Sequence, residues 1–271
     1  MDWAKAKNII ILALVVLNVF LLFMFGVLTN NVNVQEEEDL FAEVQDLLVQ
    51  RDIDLKIDLP EESGDVPVVI VDRIGLSDAR IEHLIAAEKI LAPEERDEAH
   101  IRAKAQNFLE ELGVWNDDTF IAQYEVGGDG SVLLTFGSSV NGIPVEISNL
   151  YCYVSGGKVA VVIGVWMTGS GEGQPALPTI SPVDALLKFI GSVPRSYDKD
   201  GNLIPLHITK MEMVYHFDND AMMNGLTVSD TAFPYWKFTY IVGSEEESVN
   251  ELGAKIAVVT RSMYVDAYGE R

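Results

Sequence analysis

The chain has 271 residues, 48% of them hydrophobic, and carries 42 acidic side chains against 19 basic ones for a formal charge of −23. That is enough apolar material for one or two folded domains, and the composition is not that of a disordered chain. A field of this sign repels nucleic acid and anionic lipid headgroups, which excludes binding to either through a basic surface.

The strongest signal lies at the start. Residues 1–7 read as a cytoplasmic tail, too short to hold any activity, and 8–28 as a transmembrane anchor. From Ile9 to Leu28 the chain runs IIILALVVLNVFLLFMFGVL without a charge, and such a helix spans roughly 30 Å. A secretory leader has a shorter apolar stretch and then a small-x-small cleavage site. Here Thr29-Asn30-Asn31-Val32-Asn33 follows instead, so the segment is expected to stay attached. Lys5 and Lys7 precede the span, while Glu36, Glu37, Glu38 and Asp39 follow it. That asymmetry places the N-terminus inside and the body outside the cell. Asn18 is the one strongly polar side chain of the span. An amide at that depth favours a hydrogen bond to a second helix, which makes Asn18, with Val15 and Leu22 one turn to either side, the candidate partner-binding face.

Residues 29–50 read as a linker and an amphipathic helix, with Leu40, Phe41, Val44, Leu47 and Leu48 at helical spacing. A first extracellular lobe is expected over 51–168. It opens with strands in Asp52–Asp72, then a helix capped by Ser77-Asp78 and carrying Ile81, Leu84 and Ile85. A second helix starts at Pro93, buries Ile101, Ala105, Phe108, Leu109 and Leu112, and ends near Gly113. A β meander follows over Thr119–Val126, Ser131–Phe136, Ile143–Ile147, Leu150–Val154 and Lys158–Met167, with glycine-rich turns at 127–130, 141–142 and 155–157.

The run TGSGEGQPALP, Thr168–Pro178, has no periodicity and reads as the interlobe linker, 169–180. A second lobe is expected over 181–271. It begins with Ser181 as N-cap, Pro182 at N1 and Asp184 at N3, continues as a helix to about Ile190, and has strands near Ile208–Phe217, Tyr235–Val242 and Ala254–Val265. The halves look alike, each with a proline-started helix, antiparallel strands and a closing strand that opens Lys158-Val-Ala-Val-Val or Lys255-Ile-Ala-Val-Val. The predicted fold class is therefore α+β: an N-terminal transmembrane helix followed by two similar lobes, each a helix packed on an antiparallel β-sheet.

Motifs for chemistry are missing. The four histidines, His83, His100, His207 and His216, have no i,i+3 or i,i+4 partners, so zinc spacing is lacking. Glu95, Asp97, Glu98 and His100 read as a solvated helix start. Asp198-Lys199-Asp200-Gly201-Asn202 resembles the start of a calcium loop, but Leu203 stands where glycine is required and Thr209 where the bidentate glutamate belongs. Ser155-Gly156-Gly157-Lys158 matches S-x-x-K only formally, because two glycines between strands make a hairpin and not a helix start. Trp166 and Trp236 read as core or interface positions. The single cysteine, Cys152, excludes an internal disulfide framework. Between Tyr151 and Tyr153 it reads as a buried strand residue with no neighbouring cation to activate it. The expectation is a non-catalytic protein without cofactor or metal.

Certain residues carry a family likeness. Met1-Asp2-Trp3, Lys5-x-Lys7, Leu17-Asn18-Val19-Phe20-Leu21-Leu22, Pro234-Tyr235-Trp236-Lys237 and Tyr264-Val265-Asp266-Ala267-Tyr268-Gly269-Glu270 resemble the YycI proteins of low-GC Gram-positive bacteria, and the ending also resembles PepSY-like modules. The resemblance implies a membrane-anchored ectodomain of mixed α/β modules. With a YycH-like partner it would control a WalK-like sensor histidine kinase of the cell-wall two-component system, partly through transmembrane contacts and as a homo- or hetero-oligomer. It implies no catalytic residues. The alternative is a PepSY-type inhibitor of an extracellular protease or cell-wall hydrolase.

Overall fold

The computed structural model describes residues 40–61, 64–217, 229–243, 248–249, 255–256 and 260–269. The expected anchor, with Val15, Asn18 and Leu22, lies outside the described residues, and among those described no helix is long and apolar enough to cross a membrane. Helix α1 covers 40–50. Strands β1 (Ile53–Leu55) and β2 (Asp65–Ile74), helices α2 (Asp78–Ala87) and α3 (Glu98–Leu112), and strands β3 (Thr119–Val126), β4 (Val132–Val140), β5 (Ile143–Ser155) and β6 (Lys158–Pro178) follow. The chain then forms helix α4 (Pro182–Ser192) and strands β7 (Leu206–Phe217), β8 (Ser229–Val242), β9 (Ser248–Val249), β10 (Lys255–Ile256) and β11 (Thr260–Asp266).

The protein is α+β, with a large mixed sheet and few helices. The sheet order is β1-β7-β8-β2-β6-β5-β4-β3, with β11 on β8. Local chemistry accounts for most boundaries. Ser181 Oγ accepts from Asp184 N at 3.1 Å, so α4 starts at its expected cap. Gly113 closes α3 in the left-handed region at φ 83°, which a glycine adopts without strain. Asn141 and Gly142 both have positive φ, the backbone that a tight hairpin between twisted strands requires.

Two buried clusters hold the fold. The first unites Val44 and Leu48 of α1, Ile53, Val66, Val69 and Val71 of β1 and β2, and Leu186 and Phe189 of α4 with β7, β8 and β11. The second places Ile101, Phe108, Leu109 and Leu112 of α3 against Leu134, Phe136, Leu150 and Cys152. They meet on β6, where Trp166 belongs to the second core and the adjacent Met167 to the first, both at 0% exposure. Successive strand residues point to opposite faces, so the cores lie on opposite sides of this strand.

Four expectations need correction. The segment 169–178 is no linker but the far half of β6, laddered to β2 from Val71–Gly169 to Asp65–Pro178. Its pairing with β5 ends at Val165, so this half has one strand neighbour in the ladder, and an edge tolerates Pro175 and the glycines. Three register shifts against β2 absorb the irregularity. The lobe boundaries also fail. Residues 53–74 pack with α4, leaving the second core built from Ile81 to Trp166 as an insertion in the first. Pro93 opens a 3-10 turn, Pro93–Glu95, and α3 starts after Asp97, whose carboxylate accepts from His100 N at 3.0 Å. Finally, 143–155 form one bulged strand where two were expected.

Phe189 is fully buried and stacks on Phe238 with ring centroids 4.5 Å apart. Phe189→Ala should cost about 3–5 kcal/mol, read from the urea midpoint of unfolding.

Candidate functional site

A sheltered polar cluster lies where β5 crosses from one core to the other. Against β4 the ladder jumps from Ser139–Pro144 to Gly137–Asn149, so β5 arches outward between these pairs. The arch is pinned on three sides. Ser148 Oγ accepts from Met167 N at 2.9 Å and Asn149 Nδ2 donates to Glu146 O at 2.9 Å. Val145 makes a parallel bridge to Tyr215 of β7. At its tip the Glu146 carboxylate receives Lys237 Nζ at 2.6 Å and Tyr264 Oη at 2.9 Å.

The glutamate and lysine side chains each keep 18% exposure. A pair this sheltered is screened less than a surface one and gains more from correct geometry. Register explains the convergence: Lys237 lies opposite Glu212 on β7 and opposite Tyr264 on β11. Burial, then the charge of Glu146, raises the Tyr264 phenol above its ordinary value, so it stays protonated and donates. The His216 ring stacks flat on Tyr264, 4.1 Å between centroids. Burial holds its imidazole below the ordinary value, Glu146 opposes that, and Lys237 adds to it.

The cleft beside this cluster holds about 190 Å³ and is lined by Phe120, Pro144, Asn149, Lys210, Glu212 and Lys237. That is below the roughly 300–1,000 Å³ of small-molecule sites. Gly137 lets the Phe120 ring lie over the strand here, since an added Cβ would sit 2.6 Å from its tip and the ring would have to move. A larger groove of about 450 Å³ runs between α2 and α3, over the Glu88–Lys104 ion pair at 2.6 Å. No serine, threonine or cysteine lines either. No group of three or more His, Cys, Asp or Glu side chains among the described residues is placed to hold a metal ion.

The candidate residues of the sequence do not meet here. Val15, Asn18 and Leu22 lie outside the described residues. Cys152 is buried in the second core, where desolvation and then Glu88 push its thiol up to about 12. The residues of the closing motif act as a clasp on α4. Trp236 Nε1 donates to Ile180 O at 3.2 Å, Ile180 N to Ala267 O at 2.7 Å, and Lys188 Nζ to Gly269 O at 2.6 Å. The calcium-like turn closes on itself, with Asp198 Oδ1 accepting from Asn202 N at 2.8 Å. Sequence reasoning missed the Glu146 cluster, because its members stand 91 and 118 positions apart and share no motif.

Two measurements follow from these environments. Cys152 should resist thiol reagents in the native chain at about pH 8 and react once unfolded. His216 titrates near 6.5 when unfolded and lower when folded, so below that value the unfolded chain binds more protons. Stability from this group is present above about pH 6.5 and is lost as pH falls toward the folded value. The urea midpoint should drop between about pH 7.5 and 5.5, and less in His216→Phe.

No protein-family description matches the chain. No curated protein is significantly similar to it. Among solved structures it is similar to an uncharacterized protein from Eubacterium rectale ATCC 33656, with a TM-score of 0.50 and 9% identity over 81% of this chain and 90% of that one. At that identity the likeness is one of fold alone.

Proposed function

We propose that this chain is a non-catalytic, membrane-anchored regulator of a two-component sensor histidine kinase that controls cell-wall metabolism. It acts with a YycH-like partner through transmembrane and ectodomain contacts. The observation that carries this reading is the uncharged span Ile9–Leu28, with lysines before it and acids after it. The likeness of the two chain ends to YycI proteins supports the choice of partner. The succession of α3 with β3–β6 and α4 with β7, β8 and β11 supports an origin of the lobes by duplication.

The way the body takes up the chain after the linker favours mechanical coupling to an anchor. Eleven residues, 29–39, reach at most about 40 Å. Helix α1 then buries Val44 and Leu48 at 0% and 5% exposure. Arg51 Nη1 donates to Ile190 O at 2.6 Å, and Leu206 N to Asp52 O at 3.0 Å. A shift or rotation at residue 40 is passed to α4 and β7 with little slack, as a signal through the bilayer requires.

A reporter active only outside the cell should work when fused after Asn31, and a cytoplasmic one should stay silent there. Asn18→Leu should leave expression and ectodomain folding intact while removing an interhelical hydrogen bond worth about 0.5–2 kcal/mol. Transcription from the kinase's target promoters should then lose its response at equal protein level. Unchanged output, together with full regulation by an ectodomain freed of its anchor, would move the mechanism out of the bilayer.

A further inference from the structure

The strand pairings close a ring: β5 pairs with β6, β6 with β2, β2 with β8, β8 with β7, and β7 returns to β5. Four of these seams are ladders of several residues. The fifth, between β5 and β7, is the single bridge Val145–Tyr215. The arch of β5 that reaches this bridge has left the β4 ladder between Pro144 and Asn149. Its backbone therefore lacks the regular pairing that protects the rest of the strand. A cleft already opens beside it, lined by Val145, Glu146, Val214 and Lys237.

We infer that the Glu146 carboxylate, gripped by Lys237 and Tyr264, is a latch that holds the β5 arch against β7 and β8, and that its release opens the β5–β7 seam and the edge of the first core at Val145 and Tyr215 while the second core stays folded. Three features place the device here. The contact sits where β5 changes cores: Val145 packs in the first core with β8 and β11, and from Leu150 the same strand lines the second. Both donors approach one oxygen, Glu146 Oε1, so removing that side chain's charge weakens the whole grip at once. Around the seam, Ser148 ties the base of the arch to Met167 in both directions, accepting from its N–H at 2.9 Å and donating to its carbonyl at 3.2 Å. The arch is thus fixed at its root and held at its tip by side chains, the arrangement of a hinged strap. The inference does not depend on the membrane reading.

The test is hydrogen exchange on the full chain, comparing the parent with Glu146→Gln and Tyr264→Phe, each of which keeps the bulk of the side chain. Amides of 145–148 and 213–216 should exchange roughly tenfold faster in Glu146→Gln, with a smaller rise in Tyr264→Phe, because local opening is governed by few contacts. Amides of 150–154 in β5 and 101–112 in α3 should keep the parent's rates. Unchanged exchange at the seam would overturn the latch. So would an equal rise in α3 and α4, which would make the cluster a support of the whole fold.

Discussion

Trp166 and Met167 are neighbours on β6, both without solvent exposure, and they belong to different cores. A strand sealed on both faces cannot tilt or slip without opening one core or the other, and a one-residue slip would exchange the two faces. Everything else is arranged about that constraint. Strand β6 pairs with β5 up to Val165 and with β2 from Trp166 onward, so the same strand carries the inserted lobe and the enclosing one. Gly164, at φ 143°, stands at this changeover, where any Cβ would lie 2.1 Å from Asn149 O. Glycine alone permits the approach.

The enclosing lobe is discontinuous in sequence for the same reason. Helix α1 and strands β1 and β2 precede the insertion, yet they complete the core beneath α4. The end of the chain then locks it: Tyr268 Oη donates to Val66 O at 2.8 Å across 202 positions. The segment following the linker and the segment closing the fold thus meet on β2 and α4. These contacts tie both segments into one body, and at Glu146 side chains hold the β5 arch to β8 and β11.

Much of this was legible in the residues. The spacing of Ile101, Ala105, Phe108, Leu109 and Leu112 gives α3, and all five are buried. Ser181, Pro182 and Asp184 mark the start of α4 because capping is a local matter. The glycines of 155–157 and the Asn141-Gly142 turn mark hairpins for the same reason. What failed was non-local. The run Thr168–Pro178 has the composition of a linker, and only its partner β2, about a hundred positions earlier, makes it a strand. The duplication pattern hid the fact that β1 and β2 cross to the other core. The Glu146 cluster was invisible for a similar reason: a glutamate, a lysine and a tyrosine on three strands announce nothing until register brings them together.

The central structural claim is that two cores sharing β5 and β6 form one cooperative body. Calorimetry of the chain tests it most directly, since two-state unfolding makes the calorimetric and van't Hoff enthalpies equal. The account requires a single transition with the two enthalpies in agreement. Two resolved transitions, with the inserted lobe melting apart from the enclosing one, would contradict it.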